Sequence, residues 1–272
     1  MVKRHCIRMD GTGNDFLIFD ARTMPLALTP AQVRALARRD SENGGADQII
    51  VMESSASADV RMRIYNADGG EVESCGNASR CVGWLMTEES GKEDCRIETL
   101  GGMILATRTG LRDMAVDMGQ ARTEWQEIPL AEARDTLHLP VVSGPLEDGV
   151  GVSMGNPHAV FFVPDVASIA LEQHGPVIQQ QALFPQGVNV GVAQIENESR
   201  IRLRVYERGA GETRACGTGA CAALVAAVRR GLTDRKAEVV LLGGVLHIQW
   251  QPNGHVIMRG AVSEPHYLTV EM

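Results

Sequence analysis

Apolar and charged residues alternate along Val60-Arg-Met-Arg-Ile-Tyr65, the period of a half-buried β-strand. Short apolar runs bounded by turn residues predict further strands at His5–Met9, Phe16–Phe19, Ile49–Met52, Val150–Ser153 and Ala159–Val163. Others are predicted near Ile97–Thr99, Met103–Thr107, Met114–Asp117, Val239–Leu242, Val245–Trp250 and Val256–Arg259. Helix signals are fewer. Thr29 is an N-cap candidate with Pro30 in the first turn and Val33, Leu36 and Ala37 on one face. A second helix runs from about Gly76 to Glu89 and closes at Gly91. A third, after Cys216, is small and apolar on every side, so it should be enclosed by strands. The segment Tyr267–Glu271 is predicted to return to the first half of the chain.

The pattern occurs twice. Residues 202–217 align without a gap on residues 61–76, and seven of the sixteen positions are identical, including both Cys-Gly pairs. Gly13-Asn14 and Gly155-Asn156, Gln48 and Asn189, and the Leu-Gly-Gly segments ending at Gly102 and Gly244 keep the same spacing within one residue. This is an internal duplication. It predicts two domains, 1–121 with 263–272 and 122–262, with a crossover in the polar stretch 119–130.

Composition narrows the chemistry. A chain of 272 residues, 44% hydrophobic, can bury a large core, and a net charge of −8 argues against nucleic acid or an anionic membrane as partner. No apolar run is long enough for a transmembrane helix, and the N-terminus lacks a signal-peptide core. The expectation is a cytoplasmic protein whose six cysteines stay reduced. Cys75-x5-Cys81 and Cys216-x4-Cys221 lack zinc-ligand spacing, so no metal is expected.

Cys6, Cys81, Cys95 and Cys221 read as small buried hydrophobes. Cys75 and Cys216 differ, because each follows a glycine-containing polar loop and opens a helix, in register. The helix dipole there favours thiolate and can bring a thiol from about 8.5 to ~3.5–7.5. The backbone N–H groups just beyond each sulfur form a carboxylate cradle. A thiol beside such a cradle, twice, suits proton transfer between the two faces of an α-carbon. A pyridoxal phosphate lysine is disfavoured: Lys3, Lys92 and Lys236 lie at the terminus or in charged loop sequence. No cofactor is expected.

Gly-Thr-Gly-Asn14-Asp-Phe, Ala-Asp-Gln48, Tyr-Asn66-Ala-Asp-Gly, Cys75-Gly-Asn77, Gly-Asn156-Pro-His158, Asn189-Val and Glu207-Arg208-Gly-Ala-Gly-Glu-Thr-x-Ala-Cys216-Gly-Thr218-Gly together resemble the diaminopimelate epimerase family. The match extends from the N-terminus to about residue 260. The resemblance implies an α+β fold of two pseudo-symmetric domains, each a mainly antiparallel, β-barrel-like sheet around a central helix, with the active site in the interdomain cleft. It implies interconversion of LL- and meso-diaminopimelate, serving lysine and peptidoglycan biosynthesis, without metal or pyridoxal phosphate. Cys75 and Cys216 would be the proton-transfer pair, with His158 and Glu207 adjusting their proton affinity. Gly76, Asn77, Gly217 and Thr218 would hold the reacting carboxylate. Asn14, Gln48, Asn66, Asn156, Asn189, Glu207 and Arg208 would bind the rest of the substrate, Arg208 as a bidentate partner for the distal carboxylate. A homodimer is implied as well.

Three positions depart from the family pattern: Ala78-Ser79 after Cys-Gly-Asn, Ala46 before Asp-Gln, and Gly191-Val192 after Asn-Val. They bear on pocket shape and remove no reacting group. One rival reading is a related cofactor-independent racemase of another amino acid, of the histidine or proline type. Another is a non-catalytic amino-acid-binding protein, against which the paired cysteines count.

Overall fold

The computed structural model describes residues 3–41 and 44–272. Its contacts divide the chain into two compact units, Met1–Asp117 with Arg259–Met272, and Met118–Met258.

The first unit opens with β1 (Lys3–Asp10), β2 (Asp15–Asp20), α1 (Pro30–Ala37), β3 (Gln48–Glu53), β4 (Val60–Asn66) and β5 (Glu71–Val72). It continues through α2 (Gly76–Ser90), β6 (Asp94–Thr99), β7 (Gly102–Gly110) and β8 (Asp113–Gln120). The boundary after Asp117 falls inside β8, ahead of the polar stretch where the sequence placed the crossover. The second unit contains β9 (Val150–Ser153), β10 (Pro157–Phe162), a short 3-10 turn (Val166–Ser168), α3 (Leu171–Gln179), β11 (Asn189–Asn197) and β12 (Arg200–Glu207). β13 (Gly211–Thr213), α4 (Gly217–Arg229), β14 (Lys236–Leu241), β15 (Gly244–Trp250) and β16 (His255–Ala261) follow, the last three residues of β16 belonging to the first unit. β17 (His266–Glu271) pairs antiparallel with β1 in the first unit, as the sequence predicted.

The strand pairings within the two units repeat one plan. In the first unit β1–β2, β3–β4, β4–β5, β6–β7 and β7–β8 are antiparallel, while β2–β3 and β4–β6 are parallel. In the second, β9–β10, β11–β12, β12–β13 and β14–β15 are antiparallel, while β10–β11 and β12–β14 are parallel. Even the register recurs: Phe16 stands opposite Gln48, and His158 opposite Asn189. The architecture is α+β and mainly antiparallel.

Each sheet packs around one helix. α2 contacts β1, β6 and β7. Its burial runs almost all round, from Gly76 through Trp84 and on to Met86 and Thr87. Gly83 is there because a Cβ would come within 2.6 Å of the Ala106 Cβ on β7. α4 contacts six strands, β9 to β12, β14 and β15, and every residue from Gly219 to Ala227 is buried. Its small side chains answer that enclosure, since a helix without a polar face has no solvent side.

Local chemistry sets the element ends. Thr29 and Gln32 form a capping box at α1, and Gly91 ends α2 in the left-handed region at φ 69°. A forked ion pair ties each short hairpin that precedes a key cysteine. Arg63 meets Glu71 at 2.8 and 2.9 Å, and Arg204 meets Glu212 at 2.7 and 2.8 Å. α3 lay outside the sequence-based elements. Its Gly175-Pro176 reads as a helix breaker, yet Gly175 leaves the room that Tyr206 fills.

Candidate active site

Cys75 and Cys216 are the N-caps of α2 and α4, and each sulfur accepts the backbone N–H three residues on. Ala78 donates to Cys75 Sγ at 3.5 Å and Gly219 to Cys216 Sγ at 3.4 Å. The N–H groups of residues 76–77 and 217–218, in the first helical turns, have no intrahelical acceptor. The duplication thus yields two copies of one device, a sulfur above the open end of a buried helix.

In the first unit Asn14 stands on the loop from β1 to β2, where Thr12 and Gly13 both take positive φ. Cys75 donates to Asn14 Oδ1 at 3.8 Å, and Asn77 Nδ2 donates to the same oxygen at 3.5 Å. Asn14 Nδ2 donates to Asp47 Oδ2 at 3.1 Å. Asp47 and Asp15 share Arg39, and Asp15 also binds Arg8. Burial raises the Asp15 carboxyl, but the Arg39 and Arg8 guanidiniums outweigh it and hold the group well below the usual carboxylate range. Gln48 Nε2 donates to Asn66 Oδ1 at 2.8 Å across the β3–β4 ladder. Gln48 Oε1 is buried with no partner among the described residues, an acceptor left for a donor from outside the chain.

The second unit repeats the shell with different atoms. Asn156 Nδ2 donates to Thr218 Oγ1 at 3.2 Å, and Thr218 Oγ1 lies 3.6 Å from Cys216 Sγ. His158, fully buried on β10, donates from Nε2 to Asn156 Oδ1 at 3.0 Å. Thr213 donates to Glu207 Oε1 at 2.5 Å, and the charge of the Glu207 carboxylate acts on the Cys216 thiol. Asn189 Oδ1 accepts the Arg208 backbone N–H at 2.8 Å, and Arg208 Nη1 donates to the Gln186 carbonyl at 2.7 Å.

The electrostatics correct one expectation. The helix ends were expected to favour thiolate at both sulfurs. Burial pushes the Cys216 thiol well up instead, and the facing Glu207 carboxylate pushes it further; the Thr218 hydroxyl and the Gly219 N–H act the other way without prevailing. Desolvation of a 4%-exposed sulfur outweighs one helix dipole. Cys75 is only half-buried. The other four cysteines are buried, with burial lifting Cys6 to about 11 and Cys95 to about 12. Burial, and then the charge of Arg208, pushes His158 down to about 3, so its ring is neutral near pH 7.

Asn14, Cys75 and Asn77 therefore form one group, and Asn156, His158, Glu207, Cys216 and Thr218 another. Gln48 with Asn66, and Asn189 with Arg208, form separate pairs. Three residues near the sulfurs went unnoticed in the sequence. Asp47 sits inside the Ala-Asp-Gln48 motif, where only the glutamine drew notice. Thr12 sits in the loop that carries Asn14. Arg80 lies in helical sequence, where an arginine reads as solvent-facing, yet it is fully buried. No helix of the described residues is long and apolar enough to cross a membrane.

Solved structures place this arrangement in a known fold. A phenazine biosynthesis protein of the PhzF family from Enterococcus faecalis superposes with a TM-score of 0.72 at 12% identity, covering 100% of both chains. A hydroxyproline epimerase from Agrobacterium vitis superposes with a TM-score of 0.67 at 15% identity, covering 98% of this chain and 91% of that one. The fold is thus one that a PhzF-family protein and an amino-acid epimerase share. Among sequence relatives, the diaminopimelate epimerase of Phenylobacterium zucineum is 52% identical over 261 residues, 94% of each chain. That of Rhodospirillum centenum is 50% identical over 265 residues, 97% of this chain and 90% of its own. The family model for diaminopimelate epimerase matches residues 6–124 and 150–264, and the chain belongs to that family.

Proposed function

We propose that this protein interconverts LL- and meso-diaminopimelate by two-base proton transfer, Cys75 and Cys216 serving opposite faces of one α-carbon. The observation that carries the reading is the repeated N-cap: two sulfurs, one in each half of the duplication, each on a helix whose first N–H groups are open. One cysteine, as thiolate, takes the α-proton. The other, as thiol, delivers its proton to the opposite face, so the configuration inverts and the pair exchanges roles. Negative charge developing on the substrate carboxylate rests against the N–H groups of Gly76, Asn77, Gly217 and Thr218.

Substrate reaching Cys216 would have to draw that thiol toward ionisation. The neutral ring of His158 serves by fixing Asn156, which fixes Thr218, rather than by carrying charge. The charge of the Glu207 carboxylate favours the protonated Cys216 thiol, the form that delivers a proton. Gln48 and Asn66, with Asn189 and Arg208, recognise the far end of the substrate, where an ammonium suits the unpartnered Gln48 oxygen and a carboxylate suits Arg208. The reading includes a homodimer in the cytoplasm.

Turnover of LL-diaminopimelate in heavy water tests it. Solvent deuterium should enter the α-carbon with inversion, and Cys75→Ala and Cys216→Ala should each abolish inversion. Full inversion by either single variant contradicts the scheme. Turnover of histidine or proline in place of diaminopimelate would move the substrate assignment and leave the chemistry standing.

A further inference from the structure

Arg208 is exposed, so packing does not choose its rotamer; two hydrogen bonds do. Its backbone N–H donates to Asn189 Oδ1 at 2.8 Å, and its Nη1 donates to the Gln186 carbonyl at 2.7 Å. Both acceptors belong to the segment that runs into β11. In that segment Phe184 and Val188 are buried, while Pro185 and Gln186 between them are exposed. The Gly187 N–H donates back to the Phe184 carbonyl at 2.9 Å, closing a four-residue turn, and Gly187 takes φ 69°. Pro185, with its fixed φ, stands at the second position of this turn, where proline is favoured.

The turn is thus anchored in the core on both sides, and its exposed middle offers one carbonyl to the guanidinium. That carbonyl lies in the peptide joining Gln186 to Gly187, so the left-handed φ of Gly187 helps set where it points. The stem of the arginine also passes close by: a Cβ on Gly187 would lie 3.2 Å from Arg208 Cδ and 3.6 Å from Cγ. Gln186, Gly187 and Asn189 therefore meet Arg208 at its head, stem and backbone. A carbonyl on Nη1 occupies one of the five guanidinium N–H groups and leaves the others for a carboxylate. An arginine already held in place gives up less rotamer freedom when that carboxylate arrives.

The duplication supplies an internal comparison. In register with Gly187 and Arg208, the first half has Ala46 and Ala67, and Ala46 has a negative φ. Where the arginine is missing, the left-handed glycine is missing too. We propose that Gly187 is a positioning residue for Arg208: its left-handed backbone aims the Gln186 carbonyl at Nη1 and so presets the guanidinium for the distal carboxylate of the substrate. The proposal rests on the reading of Arg208 as the group that binds that carboxylate.

Steady-state inversion of diaminopimelate by Gly187→Ala, Gly187→Asn, Arg208→Met and the Gly187→Ala/Arg208→Met double variant tests it. Alanine disfavours the left-handed backbone, so the carbonyl should swing away; KM should rise about fivefold, with kcat changed less than about twofold. Asparagine puts the same Cβ beside Arg208 but tolerates that backbone, so KM should stay within about twofold of the unaltered value. In the double variant KM should match Arg208→Met alone, because the carbonyl then has no guanidinium to hold. An unchanged KM in Gly187→Ala overturns the proposal. So does an equal rise on adding Gly187→Ala to Arg208→Met, which marks a general disturbance of the segment. An asparagine variant as impaired as the alanine one overturns it as well. If circular dichroism shows that neither Gly187 variant folds, the glycine is a stability determinant and the proposal falls. An unchanged KM in Arg208→Met would instead remove the assignment of Arg208, and absence of inversion by the unaltered protein would remove the epimerase reading.

Discussion

His158 donates through Nε2 to Asn156 Oδ1 across 3.0 Å, and that single bond sets the tautomer of the ring. An amide oxygen only accepts, so the proton is on Nε2, and the buried Nδ1 stays bare and unpartnered among the described residues. Asn156 then presents its Nδ2 to Thr218 Oγ1, which frees the hydroxyl hydrogen to point at Cys216 Sγ. A neutral histidine thus orients a thiol's partner two bonds away.

The first prediction concerns stability and pH. The folded ring titrates at about 3 against an ordinary 6.5. As pH falls through that window the unfolded chain takes up the proton and the folded one does not. Stability is therefore present above about pH 6.5 and is lost below it, at about 1.4 kcal/mol per pH unit from this group. His158→Phe copies Phe16, its counterpart in the first half. Urea unfolding between pH 6.5 and 4 should show a shallower loss in this variant; an identical slope would mean the ring is charged in the fold.

Glu207 should hold the Cys216 proton in place. Its negative charge favours the protonated thiol, after burial itself. Glu207→Gln removes the charge, so the Cys216 thiol should come down and alkylate several-fold faster at pH 8. Turnover should fall, because Cys216 would be held less firmly as the thiol that delivers a proton. Slower alkylation would reverse the assigned sign.

Arg208→Met should act on binding more than on chemistry. Its guanidinium donates to the Gln186 carbonyl and is the group assigned to a distal carboxylate. A KM raised at least tenfold, worth about 1.4 kcal/mol, with a smaller change in kcat, is the expected result of steady-state assays. A fall in kcat alone would place Arg208 nearer the reacting carbon.

Gly83→Ala probes the first core. The added methyl would meet Ala106 Cβ at 2.6 Å and Met114 Cε at 3.2 Å, both on packed strands. Overpacking of this kind costs about 1–3 kcal/mol, offset by less than 1 kcal/mol of helix propensity. Denaturant unfolding should show a net loss. A gain would mean that β7 moves freely.

Much of this was legible in the sequence, for identifiable reasons. Strands such as β4 announce themselves because one face is wet and the other dry, and α1 by Thr29 and Pro30 at its start. The helix after Cys216 had to be enclosed because it has no polar side. The in-register repeat gave the matching N-caps of Cys75 and Cys216, since loop and helix recur with them. What escaped depended on neighbours distant in sequence. α3 forms across Gly175-Pro176 because Tyr206, on another element, fills the space beside the glycine. Arg80 is buried because Thr12, Asn77 and the Ala261 carbonyl receive it, and nothing within α2 foretells two of those partners. The direction of Cys216 ionisation followed from the depth of the sulfur, which spacing does not record.

The second central helix, made of alanine, glycine and a few slightly larger residues and sealed on every side, has a consequence for how the sequence can drift. It is already near the lower limit of side-chain bulk, so almost any replacement along Gly219–Ala227 enlarges it. A larger residue there survives only if a strand gives up volume opposite, which couples the evolutionary histories of the helix and its wall. α2 is more varied in size, carrying Arg80, Trp84 and Met86, yet at Gly83 it meets the same limit, since a Cβ there would come within 2.6 Å of Ala106 Cβ. In each half the width of the rod at the centre ties a helix to the strands opposite it.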